Sequence, residues 1–191
     1  MAAISHETLE QMGFAEIGSN VLISEKATFY NCNKIKLLDN CRIDDFCVVA
    51  AGEGGVNVGR YVHIAVGSTL IGAGNITLSD FSGLSSRVAI YSSSDDYSGA
   101  FMTNPTVPKQ LTNVKHADVY LGKHVIVGSG SVILPGVRLE EGVAIGALSL
   151  VTKSCKTFGI YAGNPAKLIK ERKKDLLTLE QQLLNHKKNE S

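Results

Sequence analysis

The 191-residue chain has no tryptophan, and only 6% of its residues are aromatic. Cores of mixed architecture draw much of their buried area from large rings, so this scarcity calls for a core of small, regular side-chain layers. An excess of charge of one sign is also lacking. Nineteen basic and 18 acidic residues leave +1, too little for the footprint that binds nucleic acid. No apolar run reaches the length of a membrane span, so no integral membrane segment is expected. Met1 to Phe14 is polar, carries Glu7 and Glu10, and does not read as a secretory leader. The four cysteines, at 32, 41, 47 and 155, form no Cys-x-x-Cys pair. They read as reduced thiols of a cytoplasmic protein.

What the chain does have is a period of six. Steps of six from Ile17 meet Ile23, Phe29, Ile35, Cys41 and Cys47. Steps from Val58 meet Ile64, Leu70, Ile76, Ser82 and Val88, where only Ser82 is polar. Steps from Leu121 meet Ile133, Ile145 and Val151 among others, all apolar. Four residues after each lies a small or short residue, such as Val62, Ser68, Ser131 or Ser149. Six fits neither the helical period of 3.6 nor simple alternation. It fits a short strand, a corner and the next short strand. Three such units close a triangular coil of 18 residues, and coils stack at the strand spacing of about 4.8 Å. Nineteen glycines suit the tight corners. The expected fold is therefore an all-β solenoid.

Two stretches break the period. Glu53 to Asn57, beside Gly52, Gly54 and Gly55, shifts its phase. Ser94 to Asp118 carries Asp95, Asp96, Gly99, Pro105 and Pro108, and reads as a long loop of the functional kind. At the start, Ser5 reads as the N-cap of a short helix. Beyond Asn164-Pro165, Leu168, Ile169, Leu176, Leu177, Leu179, Leu183 and Leu184 read as the apolar stripe of a helix. The expected organisation is a helical cap over 1–16, a coil over 17–160 with the loop at 94–118, and a C-terminal helix over 161–191.

The runs Val125-Ile126-Val127-Gly128-Ser129, Ile133-Leu134-Pro135-Gly136-Val137, Ile145 to Lys153 and Ala162-Gly163-Asn164-Pro165-Ala166-Lys167 resemble the hexapeptide-repeat acyltransferase family. The likeness covers nearly the whole chain. It leans toward the sugar O-acetyltransferases of polysaccharide biosynthesis and the galactoside and maltose acetyltransferases. It implies a left-handed parallel β-helix and a homotrimer with grooves between subunits. Acetyl-CoA would be the cosubstrate, with no metal required. A saccharide or nucleotide sugar would be the acceptor.

The reaction needs a base for the acceptor's proton and a donor for the oxyanion. The family's base is a histidine near the start of the loop, where this chain has Asp95. A carboxylate of ordinary pKa, about 3.9, is a weaker base than an imidazole at about 6.5. This casts Asp95 as a group that orients a histidine or binds a sugar hydroxyl, with Asp96 and Tyr97 beside it for the acceptor. His63, in Tyr61-Val62-His63-Ile64, and His116, at the far end of the loop, are the two candidate bases. Stacked coils would bring His63 near Asp95 within one subunit or across the groove. For the coenzyme the resemblance carries over Ser129, Ala147, Thr152, Lys153 and Lys167. Lys153, with Lys167 or Arg172, would meet the phosphates. His124 reads as an exposed turn residue, and Cys41 and Cys47 as core positions.

These readings give transfer of an acetyl group to a saccharide hydroxyl. Three alternatives stand beside it: N-acetylation of a nucleotide-linked amino sugar, a γ-type carbonic anhydrase, and a non-catalytic solenoid scaffold. The carbonic anhydrase would need His63, His116 and His124 on one zinc ion.

Overall fold

A computed structural model describes residues 2–190, with side chains through His186. Three parallel sheets form the sides of a prism. Face one stacks Glu16–Ile17, Ile35–Leu37, Val56–Val58, Ile76–Leu78, Val119–Leu121 and Arg138–Leu139. Face two stacks Leu22–Ile23, Arg42–Ile43, His63–Ile64, Gly83–Leu84, Ile126–Val127, Ala144–Ile145 and Gly159–Gly163. Face three stacks Thr28–Tyr30, Val48–Ala51, Thr69–Gly72, Ala89–Tyr91, Val132–Ile133 and Leu150–Val151. Each strand pairs with its counterpart one coil away, so like positions align. On face two, Ile23, Ile43, Ile64, Leu84, Val127 and Ile145 form one inward ladder, and all six are buried. Small aliphatic ladders fill the prism without large rings, which accounts for the low aromatic content.

Short polar side chains inside the corners bond the turn backbone. Ser68 Oγ donates to the carbonyl of Ser85 at 3.1 Å, Ser131 Oγ to Gly146 at 3.0 Å, and Ser92 Oγ to Gly74 at 2.8 Å. Cys41 and Cys47 are buried as expected, and desolvation pushes the Cys41 thiol up to about 11. That removes it as a nucleophile at neutral pH.

The two ends differ in how they follow the sequence. Ser5 caps helix α1 (His6–Gln11), accepting from the Thr8 amide, and Leu9 plugs the first coil. The C-terminal helix expected from residue 161 starts only at Leu176, as α2 (Leu176–Glu190). Before it, Gly159–Gly163 continues face two and turns at Asn164-Pro165. Ala166–Glu171 then returns antiparallel. Ile160 and Tyr161 find ready partners in Ala144 and Ile145, so the open sheet edge captures this segment. Leu168 and Ile169, read above as part of a helical stripe, are exposed on that hairpin. Among the described residues, no helix is long and apolar enough to cross a membrane.

Ser82, the one polar member of its hexad series, is buried with an unpartnered hydroxyl. A buried unbonded hydroxyl costs roughly 1–3 kcal/mol of desolvation. Ser82→Ala is therefore expected to raise stability by about 1 kcal/mol, read as a higher urea midpoint at unchanged slope. A lower midpoint would mean that the hydroxyl is bonded in solution.

Candidate active site

A groove of about 650 Å³ runs along face two. Its floor is the outward column of that sheet, in which His63, Gly83 and Ile126 lie in register. Gly83 has no side chain, and a Cβ built there would touch only Ile126 at 3.4 Å and the His63 carbonyl at 3.9 Å. The column is notched at this point, and His63 stands over the notch.

His63 is half exposed and bonded. Its Nε2 lies 2.8 Å from Asp44 Oδ2, while Arg42 Nε donates to Asp44 Oδ1 at 2.7 Å. Burial raises the Asp44 carboxyl, but the bonds and charges of Arg42 and His63 outweigh it and hold it below its ordinary value. An ionised Asp44 has no proton to give, so Nε2 carries the hydrogen between them. In the neutral ring Nδ1 is then a bare acceptor, the form a general base requires. Asp44 was not singled out from sequence. Its signal is its place two residues after Arg42, the counterpart of His63 one coil earlier.

One wall of the groove is a stack of rings. Tyr61, Phe81 and His124 occupy equivalent corners between faces one and two, with φ of +59°, +60° and +59°. Left-handed backbone is costly for bulky residues. Here the rings stack at 4.9 Å and 5.1 Å between centroids, which offsets the cost. His124 is thus not an exposed turn residue. Its side chain is 9% exposed, and its Nε2 lies 2.8 Å from Glu180 Oε2 of α2. Lys123 pairs with the other Glu180 oxygen. Arg172 Nη1 donates to the carbonyls of His124 at 2.8 Å and Gly142 at 3.0 Å. These contacts fold the C-terminal segment against the groove, where Arg172 and Leu176 join its lining.

The loop lies elsewhere. Its base is the hairpin Ser93–Ser94 with Lys115–His116, at the edge between faces three and one, opposite face two. Ser93 Oγ lies 2.7 Å from His116 Nδ1 and accepts from the Ala73 amide at 2.7 Å. Asp96 braces the loop: Ser98 donates to it from side chain and backbone, and Asn113 from its amide at 2.9 Å. Those bonds hold its carboxyl below the ordinary range. The Asp95 carboxylate is half-buried and has no partner among the described residues. Tyr97 is 91% exposed. Within one chain His63 and Asp95 therefore do not meet, because the prism separates them. His63 and His124 border the same groove, but His116 stands at the loop base, so among the described residues the three form no metal-binding cluster.

Of the coenzyme candidates, Ser129 and Ala147 sit one coil apart on the corner between faces two and three, and Ser129 lines the groove. Lys167 lies across from Ala162, whose Cβ packs under Gly146, and so borders the same corner. Thr152 and Lys153 lie past the last face-three strand, at the next edge.

No family model matches the chain. The chain is 53% identical over 180 residues to the dTDP-4-amino-4,6-dideoxy-D-glucose acyltransferase of Escherichia coli, with 94% of each chain covered. The N-acyltransferase AntD of Bacillus cereus, solved with dTDP and 3-hydroxybutyryl-CoA, superposes with a TM-score of 0.94 at 43% identity. That match covers 98% of this chain and 100% of the other. A maltose O-acetyltransferase of Clostridium difficile 630 shares the fold, with a TM-score of 0.57 at 21% identity. It covers 88% of this chain and 75% of the other.

The Glu180 anchor sets a pH dependence. Burial raises its carboxyl, but the bonds and charges of Lys123 and His124 prevail and hold it below 4.5. A depressed carboxyl contributes stability above its unfolded value and loses it as pH falls through the folded one. Glu180→Gln should thus lower the melting temperature at about pH 7, and the difference from wild type should narrow as the pH is lowered to about 3. Melting curves at the two pH values check this, and an unchanged difference would refute the anchor.

Proposed function

This chain belongs to the hexapeptide-repeat acyltransferases and uses acyl-CoA, and we propose that it acylates the amino group of a dTDP-linked amino sugar. The amine takes precedence over the saccharide hydroxyl expected first from sequence, because relatives 53% and 43% identical to this chain are named for dTDP-amino-sugar acylation and N-acylation. The observation that carries the chemistry is the Asp44-held imidazole of His63 above the Gly83 notch.

The amine lone pair attacks the thioester carbonyl carbon, and the carbonyl electrons move to oxygen. The tetrahedral intermediate collapses, the C–S bond breaks, and the thiolate of CoA leaves. The nitrogen must lose one proton along the way, and His63 Nδ1 receives it. The proton then neutralises the thiolate, so amide and CoA-SH are the products and the imidazole is restored. Asp44 holds the ring and stabilises it while charged.

Asp95 completes the site from a neighbouring copy. The loop projects from the edge opposite face two, so a second subunit is the means by which a loop covers a groove. An unpaired, half-buried carboxylate at the loop's start suits an amine, accepting its N–H and orienting its lone pair. Homotrimer formation, carried by the family resemblance, would supply this arrangement three times.

The acceptor is tested by thiol release from acetyl-CoA and 3-hydroxybutyryl-CoA. dTDP-4-amino-4,6-dideoxyglucose should be turned over, and its 4-hydroxyl analogue and free sugars should not. Turnover of the hydroxyl analogue at the same rate would restore O-acylation. Loss of the general base costs about 10²–10⁴-fold in rate. His63→Ala should show that loss and Asp44→Asn a smaller one, while His116→Ala should stay near wild type. The reverse ranking of the two histidine variants would move the base to the loop.

A further inference from the structure

Among the described residues Arg172 is a cation without a counter-ion. Its Nη1 spends both hydrogens on the carbonyls of His124 and Gly142. A guanidinium has five N–H donors, so Nε and Nη2 keep the remaining three. Among the described residues no carboxylate pairs with it, and burial alone lowers its pKa. The neighbouring cation Lys123, by contrast, is paired with Glu180. Arg172 lines the face-two groove together with Ser129, Ile126 and His63. A half-buried guanidinium held at two points, with its free edge on a groove, is a preorganised fork for a phosphate.

Its position tells which phosphate. The carbonyls it holds belong to the corners that precede Ile126 and Ala144. Those strands lie two and three coils below His63, about 10–14 Å along the stack. That is the scale of a hexose with its attached phosphate. The span from the CoA sulfur to the CoA diphosphate includes the whole pantetheine arm and is longer.

We propose that Arg172 binds the diphosphate of the nucleotide-sugar acceptor and so positions the sugar amine beneath His63. This rests on the reading that the acceptor is a dTDP-linked amino sugar. It also withdraws Arg172 from the coenzyme phosphates, where the sequence resemblance had placed it.

The experiment is calorimetric binding of dTDP and of CoA, each alone, to wild type, Arg172→Gln, Arg172→Lys and the exposed control Lys173→Gln. A charged hydrogen-bond pair is worth roughly 1.5–3 kcal/mol, about 10–150-fold in affinity. Arg172→Gln should weaken dTDP by about that factor and leave CoA unchanged. Arg172→Lys should recover part of the loss, because it keeps charge but not the fork. Lys173→Gln should match wild type. Melting curves show whether each variant keeps its fold, and Arg172→Lys carries the test if Arg172→Gln does not fold. Weakened CoA with unchanged dTDP would assign the fork to the donor and overturn the proposal, as would unchanged affinity for both. Wild type that binds CoA but not dTDP would overturn the acceptor reading beneath it.

Discussion

The rise of one coil, about 4.8 Å, is the constraint on which the rest of the structure depends. It places every residue on its counterpart one coil earlier, so a side chain is judged by the column it joins. Inward columns must be aliphatic and uniform, as in the ladder from Ile23 to Ile145. Corner columns must satisfy turn backbone, and buried serines do so. The same rise is close to the contact distance of stacked rings. That coincidence lets Tyr61, Phe81 and His124 hold a left-handed corner where glycine or asparagine is the usual choice.

A perfectly repeating column has no site in it, because each outward position is covered by a neighbour like itself. Face two departs from this at three successive levels: His63, then Gly83, then Ile126. An imidazole, a notch and an apolar side chain lie in one line. The coil rise also makes the His63–Asp44 contact, since the corner carboxylate of one coil falls beside the first strand residue of the next. An imidazole–carboxylate pair of this kind is a by-product of stacking and needs no local motif.

The solenoid was legible because hexads report the period directly, and the N-cap at Ser5 because the signal is local. The loop boundaries followed from Pro105, Pro108 and the lost period. Three features were not legible. His124 reads as exposed until Glu180, 56 residues later, is placed against it. The hairpin at 159–171 reads as helix because its alternation is weak, and the open edge of face two decides it. The separation of His63 from Asp95 follows from which edge of the prism the loop leaves. The hexad count leaves that undecided until the corners are assigned to faces. The candidate site was therefore half-visible: His63 could be chosen from its neighbours, whereas Asp44 required the coil length.

The C-terminal segment shows how an end becomes part of the site. A solenoid's last coil leaves an unpaired edge, and the hairpin from Gly159 to Glu171 closes it. Closing the edge in this way reverses the chain and delivers Arg172 back to the corner carbonyls of His124 and Gly142. It also delivers Glu180 to the ring stack. The cap and the groove lining are then one structure: a change that frees the cap also removes Arg172 and Leu176 from the groove. Pairing at the end of the coil and the groove in its middle are thereby linked through a few contacts, even though the hexads that build them are far apart in sequence.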